Sequence, residues 1–404
     1  MTQLIKLAFR NLNRNRRRSI LSALAVAMGL TLLLFIAGIL RGEIQGSLDT
    51  TIKMVSGDLQ VRSSTYVEAK SSLKWSDLVV NPDQVAAQIK TIPQVAEATP
   101  RLYATGILTV GDTSTGVKLL GIDPNSSASA PYSSGMLTGI FLTPDDQSDI
   151  LIGQPLASKL KVAAGDQVTL YANTSNGDVV QQSFTIRGVY STHTPTLDES
   201  TVILPLAKAQ AITQTTNHAS AIFILLKDRD QTDAVAAAIT TPGYQVLTWQ
   251  GMNELTLQTE QLANSYMFII YLIVLAVTAT VIVNTLVMAV FERTREIGIL
   301  AAIGMKGRRI MALFLTEASM LAAGGIVFGL IFGWAICLYF EKFGIFIGNI
   351  GTTGFLIGDR IYALLNTSDA ITLTLVALVV TLIASLYPAI LAARLEPVEA
   401  LHGK

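Results

Sequence analysis

Four uninterrupted apolar runs govern what this chain can fold into. Residues 19–40, 261–291, 318–340 and 370–393 hold no Asp, Glu, Lys or Arg over 22, 31, 23 and 24 positions. A helix needs about 20 apolar residues to cross a bilayer, so each run is long enough. Lipid offers no partner to a backbone amide, so each must satisfy its own hydrogen bonds as a helix. Half of the 404 residues are hydrophobic and 14% are charged, below the roughly one quarter typical of soluble domains. The predicted fold class is membrane α-helical, four transmembrane helices with a large extracytoplasmic α+β domain inserted between the first and second.

The formal net charge of zero conceals an asymmetry that orients these spans. Residues 1–18 carry six basic groups and no acid, and residues 292–309 carry five basic groups against two acids. Residues 41–264 carry 14 basic and 21 acidic groups. Short loops rich in Lys and Arg stay in the cytoplasm, whereas long domains translocate largely regardless of charge. The expected organisation is a cytoplasmic amphipathic N-terminal helix (1–18), a first transmembrane helix (19–40), the extracytoplasmic domain (41–264) and a second transmembrane helix (265–291). A cytoplasmic segment (292–309), a third transmembrane helix (310–340), a short extracytoplasmic loop (341–368), a fourth transmembrane helix (369–393) and a cytoplasmic tail (394–404) complete it. The first run exceeds the 7–15 residues of a signal-peptide core and no A-x-A-like site follows it, so it reads as a retained anchor. The single cysteine, Cys337, falls inside the third span, so the outer domain has no disulfide.

Within the outer domain, residues 57–62 and 166–172 alternate in the period-two manner of half-buried strands. Asn176-Gly177 marks a hairpin. Asn81-Pro82-Asp83 opens a helix that ends near Ile92-Pro93. Residues 221–226, 230–239 and 244–247 read as strand, helix and strand, and helix is expected to run unbroken from Gly251 into the second span. Two subdomains are expected, one β-rich and one α/β, divided near residues 191–220.

Catalytic chemistry is not visible. There is no G-x-x-x-x-G-K-[ST] phosphate loop among these residues. His193, His218 and His402 lack metal-ligand spacing. Asp145, Asp146 and Asp149 cluster, and a solvated loop outweighs a calcium site there. The informative stretch is 292–306. Its charges fall at Glu292, Arg293, Arg295 and Glu296, while Ile297, Leu300, Ala301 and Gly304 recur at helical spacing and give one apolar face. Gly304 suits a chain reversal. Gly325, Gly329 and Gly333 repeat every fourth residue along the third span, a spacing that lets helices approach closely in lipid. Glu317 is expected at the inner interface or facing protein, because a lipid-facing carboxylate would be costly.

The run E-R-T-R-E-I-G-I-L-A-A-I-G-M from Glu292 to Met305, with Phe314-Leu315-Thr316-Glu317-Ala318, resembles the FtsX/MacB-type permease domain of ABC transporters. So do Tyr387-Pro388-Ala389, Pro397-Val398-Glu399-Ala400-Leu401, Leu7-Ala8-Phe9-Arg10-Asn11-Leu12, Gly57-Asp58-Leu59-Gln60-Val61 and Ile152-Gly153-Gln154-Pro155. The resemblance spans the whole arrangement. It implies a homo- or heterodimer of permeases in the inner membrane, in contact with lipid and joined to a cytoplasmic ABC ATPase. That ATPase would bind ATP and magnesium, and this chain itself would bind no cofactor and have no enzymatic activity. Carried over by position, the ATPase-coupling residues are Glu292, Arg293, Arg295, Glu296, Ile297, Leu300, Ala301, Gly304, Met305 and Lys306, with Gly325, Gly329 and Gly333 for helix packing. The function implied is release or export of lipoproteins or another amphiphile. The alternatives are a MacB-like tripartite efflux permease with an adaptor, and an FtsX-like regulator of a cell-wall hydrolase. A further partner would be a lipoprotein, an adaptor or another envelope protein, and no nucleic acid. In lipoprotein-releasing systems one subunit carries a chaperone-recruiting hook inserted in an outer hairpin. The tight Asn176-Gly177 turn has no room for one.

Overall fold

A computed structural model describes residues 2–14, 16–67, 71–348 and 358–395. The Pro397–Leu401 motif, His402 and residues 396–404 of the expected tail lie outside them. The described residues fall into two compact units, one of helices and one built on a sheet.

Four described segments, wholly or largely in the helical unit, are long and apolar enough to cross a membrane: Ser19–Ser56, Ser265–Glu292, Gly307–Phe343 and Thr367–Ala393. The helices overrun the expected spans, because hydrogen bonding continues past the apolar stretch. The first runs over Arg16–Thr51 and the second over Glu254–Glu292. The expected unbroken run from Gly251 is interrupted at Asn253, between the short helix Trp249–Met252 and Glu254. A separate helix, Thr2–Arg14, precedes the first long one. The buried apolar core of this unit draws on all four long helices, with Leu30, Leu33 and Leu34 from the first, Ile282 and Leu286 from the second, Ala318 and Ile326 from the third, and Leu373 and Ala377 from the fourth.

The sheet unit contains β1 (Leu59–Ser63), β2 (Val79–Val80), β3 (Val95–Val110), β4 (Thr113–Ile122), β5 (Met136–Gly139) and β6 (Asp149–Gly153). It continues with β7 (Gln167–Asn173), β8 (Val179–Tyr190), β9 (Thr201–Pro205), β10 (His218–Ala219), β11 (Ala221–Leu226) and β12 (Tyr244–Thr248). All but β2 and β10 join one ten-stranded sheet in the order β12-β1-β11-β3-β4-β9-β6-β8-β5, and β7 bridges β3 and β8. The sheet is mixed: β4–β9 and β6–β8 are parallel, whereas β3–β4 and β7–β8 are antiparallel. Six strands, β3-β4-β9-β6-β8-β7, thereby close on themselves around a core that includes Leu108, Leu170, Phe184 and Ile186.

The expected subdomain boundary near 191–220 is not where the sheet divides. The α/β part is assembled from β1, β11, β12 and the helix Pro82–Lys90, which come from both ends of the insert. The 16-residue β3 belongs to both parts, pairing with β11 through its first half and with β4 and β7 through its second. Arg101, fully buried on β3, donates to the carbonyls of Met54 and Ala128 and lies 3.4 Å over the Phe223 ring. Asp146 and Asp149 of the acidic cluster both bind Arg187, at 2.7 and 2.8 Å.

Candidate functional site

The reversal between the second and third long helices is built from three local devices. Arg293 leaves helical geometry and caps the helix Thr294–Ala302. That helix ends in a Schellman arrangement, with the Met305 N–H donating to the Leu300 carbonyl and the Gly304 N–H to the Ala301 carbonyl, both at 3.0 Å. Gly304 has φ +95°, a conformation costly for any residue with a Cβ. Lys306 is then extended and opens the third long helix.

The structure turns the apolar face of the segment inward. Ile297 is 3% exposed and packs with Ala289, Val290, Ile310, Phe314, Ala389 and Ala392, with Ala301 and Met305 at the margin of that cluster. Leu300 is half-buried. The face read from the sequence as the contact surface for a partner is therefore largely spent on the chain's own helices. The large apolar side chains of this helix and its cap left exposed are Ile299 at 44% and Ile303 at 79%. They stand four residues apart on one helical face, a spacing that was readable in the sequence but competed with the stronger 297/300/301/304 pattern.

The charges divide in the same way. Glu292, Arg295, Glu296 and Lys306 are exposed. Both carboxylate oxygens of Glu296 accept from Arg14 at 2.6 Å. Arg293, expected on the charged face, is instead buried. Its Nη1 lies 3.3 Å from Glu317 Oε1, and its Nη2 donates to the Asn11 carbonyl at 3.1 Å. Asn11 Nδ2 in turn donates to Glu317 Oε1 at 2.6 Å. Glu317 is 4% exposed and faces protein. A small cavity beside this network is lined by Leu12, Ser19, Ser22, Thr285, Arg293 and Glu317 among others. The segment thus presents two exposed isoleucines among charged side chains on a braced helix.

The glycine stripe of the third long helix lies against the first. A Cβ on Gly325 would sit 2.6 Å from Val26 Cβ, one on Gly329 3.0 Å from the Ala27 carbonyl oxygen, and one on Gly333 2.7 Å from Leu34 Cδ1. The first helix carries a second such pair that sequence reading passed over. A Cβ on Gly42 would fall 1.6 Å from the Tyr362 carbonyl oxygen, and Leu364 N–H donates to the Gly38 carbonyl at 2.8 Å.

Residues 19–241 match the MacB-like periplasmic core domain family, and residues 268–397 match the FtsX-like permease C-terminal family. The chain is 24% identical over 399 residues to the lipoprotein-releasing system transmembrane protein LolC of Xylella fastidiosa, covering 95% of this chain and 93% of that one. It is 24% identical over 401 residues to LolE of Haemophilus influenzae, at the same coverage. It is 25% identical to the macrolide export ATP-binding/permease protein MacB of Rhodospirillum rubrum, covering 84% of this chain and 53% of that one.

Proposed function

This chain belongs to the FtsX/MacB-type permease family of ABC transporters, and on that premise we propose that it is the membrane subunit of a machine releasing lipoproteins or a similar amphiphile. The observation that carries the substrate class is the near full-length similarity to proteins named for lipoprotein release. In this reading a separate cytoplasmic ATPase binds and hydrolyses ATP with magnesium, and a second permease subunit completes the dimer. The inserted α+β domain lies outside and receives the motion. The β7–β8 hairpin closes within Thr174–Asp178, whose termini are joined by a 2.9 Å backbone hydrogen bond, so it provides no extended hook for a chaperone.

The ATPase docks on the segment between the second and third long helices, with Ile299 and Ile303 as the apolar contacts. Fully burying an isoleucine is worth about 1.5–3 kcal/mol, and an unpaired buried charge costs several more. Ile303→Asp is expected to reduce co-purification of the ATPase at least tenfold while leaving the chain folded, because this side chain is 79% exposed. Unchanged association would sink the docking assignment. The release function itself is tested by reconstituting the chain with its ATPase and a lipid-anchored protein in liposomes. ATP turnover without release of the anchored protein would refute it.

A further inference from the structure

The helix Thr2–Arg14 carries exposed Ile5, Leu7 and Phe9 beside Lys6 and Arg10, a surface suited to a membrane interface. Only part of such a helix packs on protein, so what fixes it matters. Ala8 is fully buried, and polar bonds at Asn11, Leu12 and Arg14 tie the C-terminal end of the helix down. Asn11 binds Glu317 through its side chain and Arg293 through its carbonyl, and the exposed Arg14–Glu296 pair lies one turn further on. Ser19 Oγ donates to the Leu12 carbonyl at 3.0 Å, linking the helix back to the start of the first long helix. Glu317 and Arg293 are both more than nine-tenths buried, at 4% and 7% exposure.

A buried ion pair is weak evidence of stability for its own sake, since apolar replacements often serve as well. What this one supplies is geometry. Arg293 is the capping residue of the segment helix, Glu317 belongs to the third long helix, and Asn11 belongs to the N-terminal helix. One network therefore ties the N-terminal helix to two consecutive elements, through bonds that span 282 and 306 positions of the chain. We propose that the half-buried Asn11 and the buried Arg293 and Glu317 form a latch that makes the N-terminal helix, the segment helix and the third long helix move as one body. A push on the segment would then reach a helix at the membrane surface. This consequence rests on the docking reading above, but the latch does not.

Amide hydrogen exchange on the full chain in lipid nanodiscs tests the latch without any partner. Glu317→Ala is expected to raise exchange at least tenfold in both Thr2–Arg14 and Thr294–Ala302, with the strands of the outer domain unchanged. Asn11→Ala is the milder variant, because it leaves the Arg293–Glu317 pair in place. It is expected to raise exchange at least tenfold in Thr2–Arg14 while leaving Thr294–Ala302 within twofold of the parent. If Asn11→Ala leaves Thr2–Arg14 as protected as in the parent, the latch is overturned, whatever Glu317→Ala does. Equal loosening of both helices in Asn11→Ala would also overturn it, since the side chain would then act through the fold at large. Failure of the docking reading appears separately, as retained ATPase co-purification in Ile303→Asp.

Discussion

Asp198 is a carboxyl inside the sheet unit and is 1% exposed. Burial pushes its pKa above the ordinary 3.8, and the donors around it, Thr192 N–H at 2.9 Å, Thr192 Oγ1 at 2.6 Å and Ser191, pull the other way without cancelling the rise. The same burial raises Tyr132 to about 12. For Asp198 the folded state holds its proton more tightly than the unfolded chain does. Its contribution to stability is therefore fully present below pH 3.8 and falls as pH rises to the raised folded value, above which it is constant. Asp198→Asn removes this dependence. The melting temperature of the parent relative to Asp198→Asn should decline across that window and then level off. A difference independent of pH from acidic to neutral conditions would show that burial does not raise the carboxyl. Arg293 is the second residue where burial changes the expectation. Arg293→Ala leaves Glu317 buried without its guanidinium, and breaking a buried pair from one side costs about 3–5 kcal/mol. It should destabilise the helical unit, whereas Arg295→Ala, fully on the surface side, should leave it within about 0.5 kcal/mol.

Adjacent glycines give the clearest test of an element. Gly325 faces Val26 and Ala23, while a Cβ on Gly324 would meet nothing within 4 Å. Overpacking a tight contact costs about 1–3 kcal/mol, and more where backbone is in the way. Gly325→Leu is expected to lower the unfolding temperature of the detergent-solubilised chain well below that of Gly324→Leu, which should match the parent. Equal behaviour of the two would remove the helix-packing role from the stripe. Elements of this kind were legible in the sequence where local chemistry decides them. The four apolar runs became four long helices, Asn176-Gly177 joins β7 to β8, and Asn81-Pro82 opens the helix Pro82–Lys90. What escaped was set by distant partners. The pairing of β1 with β11 and β12 brings together residues 161 to 189 positions apart, and no local periodicity reports it. The direction of the segment's apolar face was similarly hidden, because Ile310, Phe314 and Ala389 compete for the same side chains as an outside partner. The Gly38–Gly42 spacing was present in the sequence, but its meaning depends on the irregular passage at Tyr362–Leu364 that lies across it.

At the scale of the molecule, the arrangement stands or falls on which side of the bilayer each unit's loops occupy. Residues 1–18 and 292–309 are basic and short, and residues 41–264 are long and net acidic, so the positive-inside bias predicts the segment with Ile303 in the cytoplasm and the inserted domain outside. The proposed function needs the same placement, because a soluble ATPase can reach only cytoplasmic groups and a lipid-anchored substrate in the outer leaflet only extracytoplasmic ones. Two exposed residues report the two sides: Asn176 at the tip of the β7–β8 hairpin and Lys306 at the start of the third long helix. The buried Cys337 is first replaced by alanine, so that a single introduced thiol reports. Asn176→Cys should react with a membrane-impermeant maleimide in intact cells, and Lys306→Cys should react only after the membrane is opened. The reverse pattern would invert the topology and place the docking segment out of reach of any cytoplasmic ATPase. Labelling of both in intact cells would mean that the second long helix, whose apolar window is only 6% buried within the chain, does not span the bilayer as its composition requires.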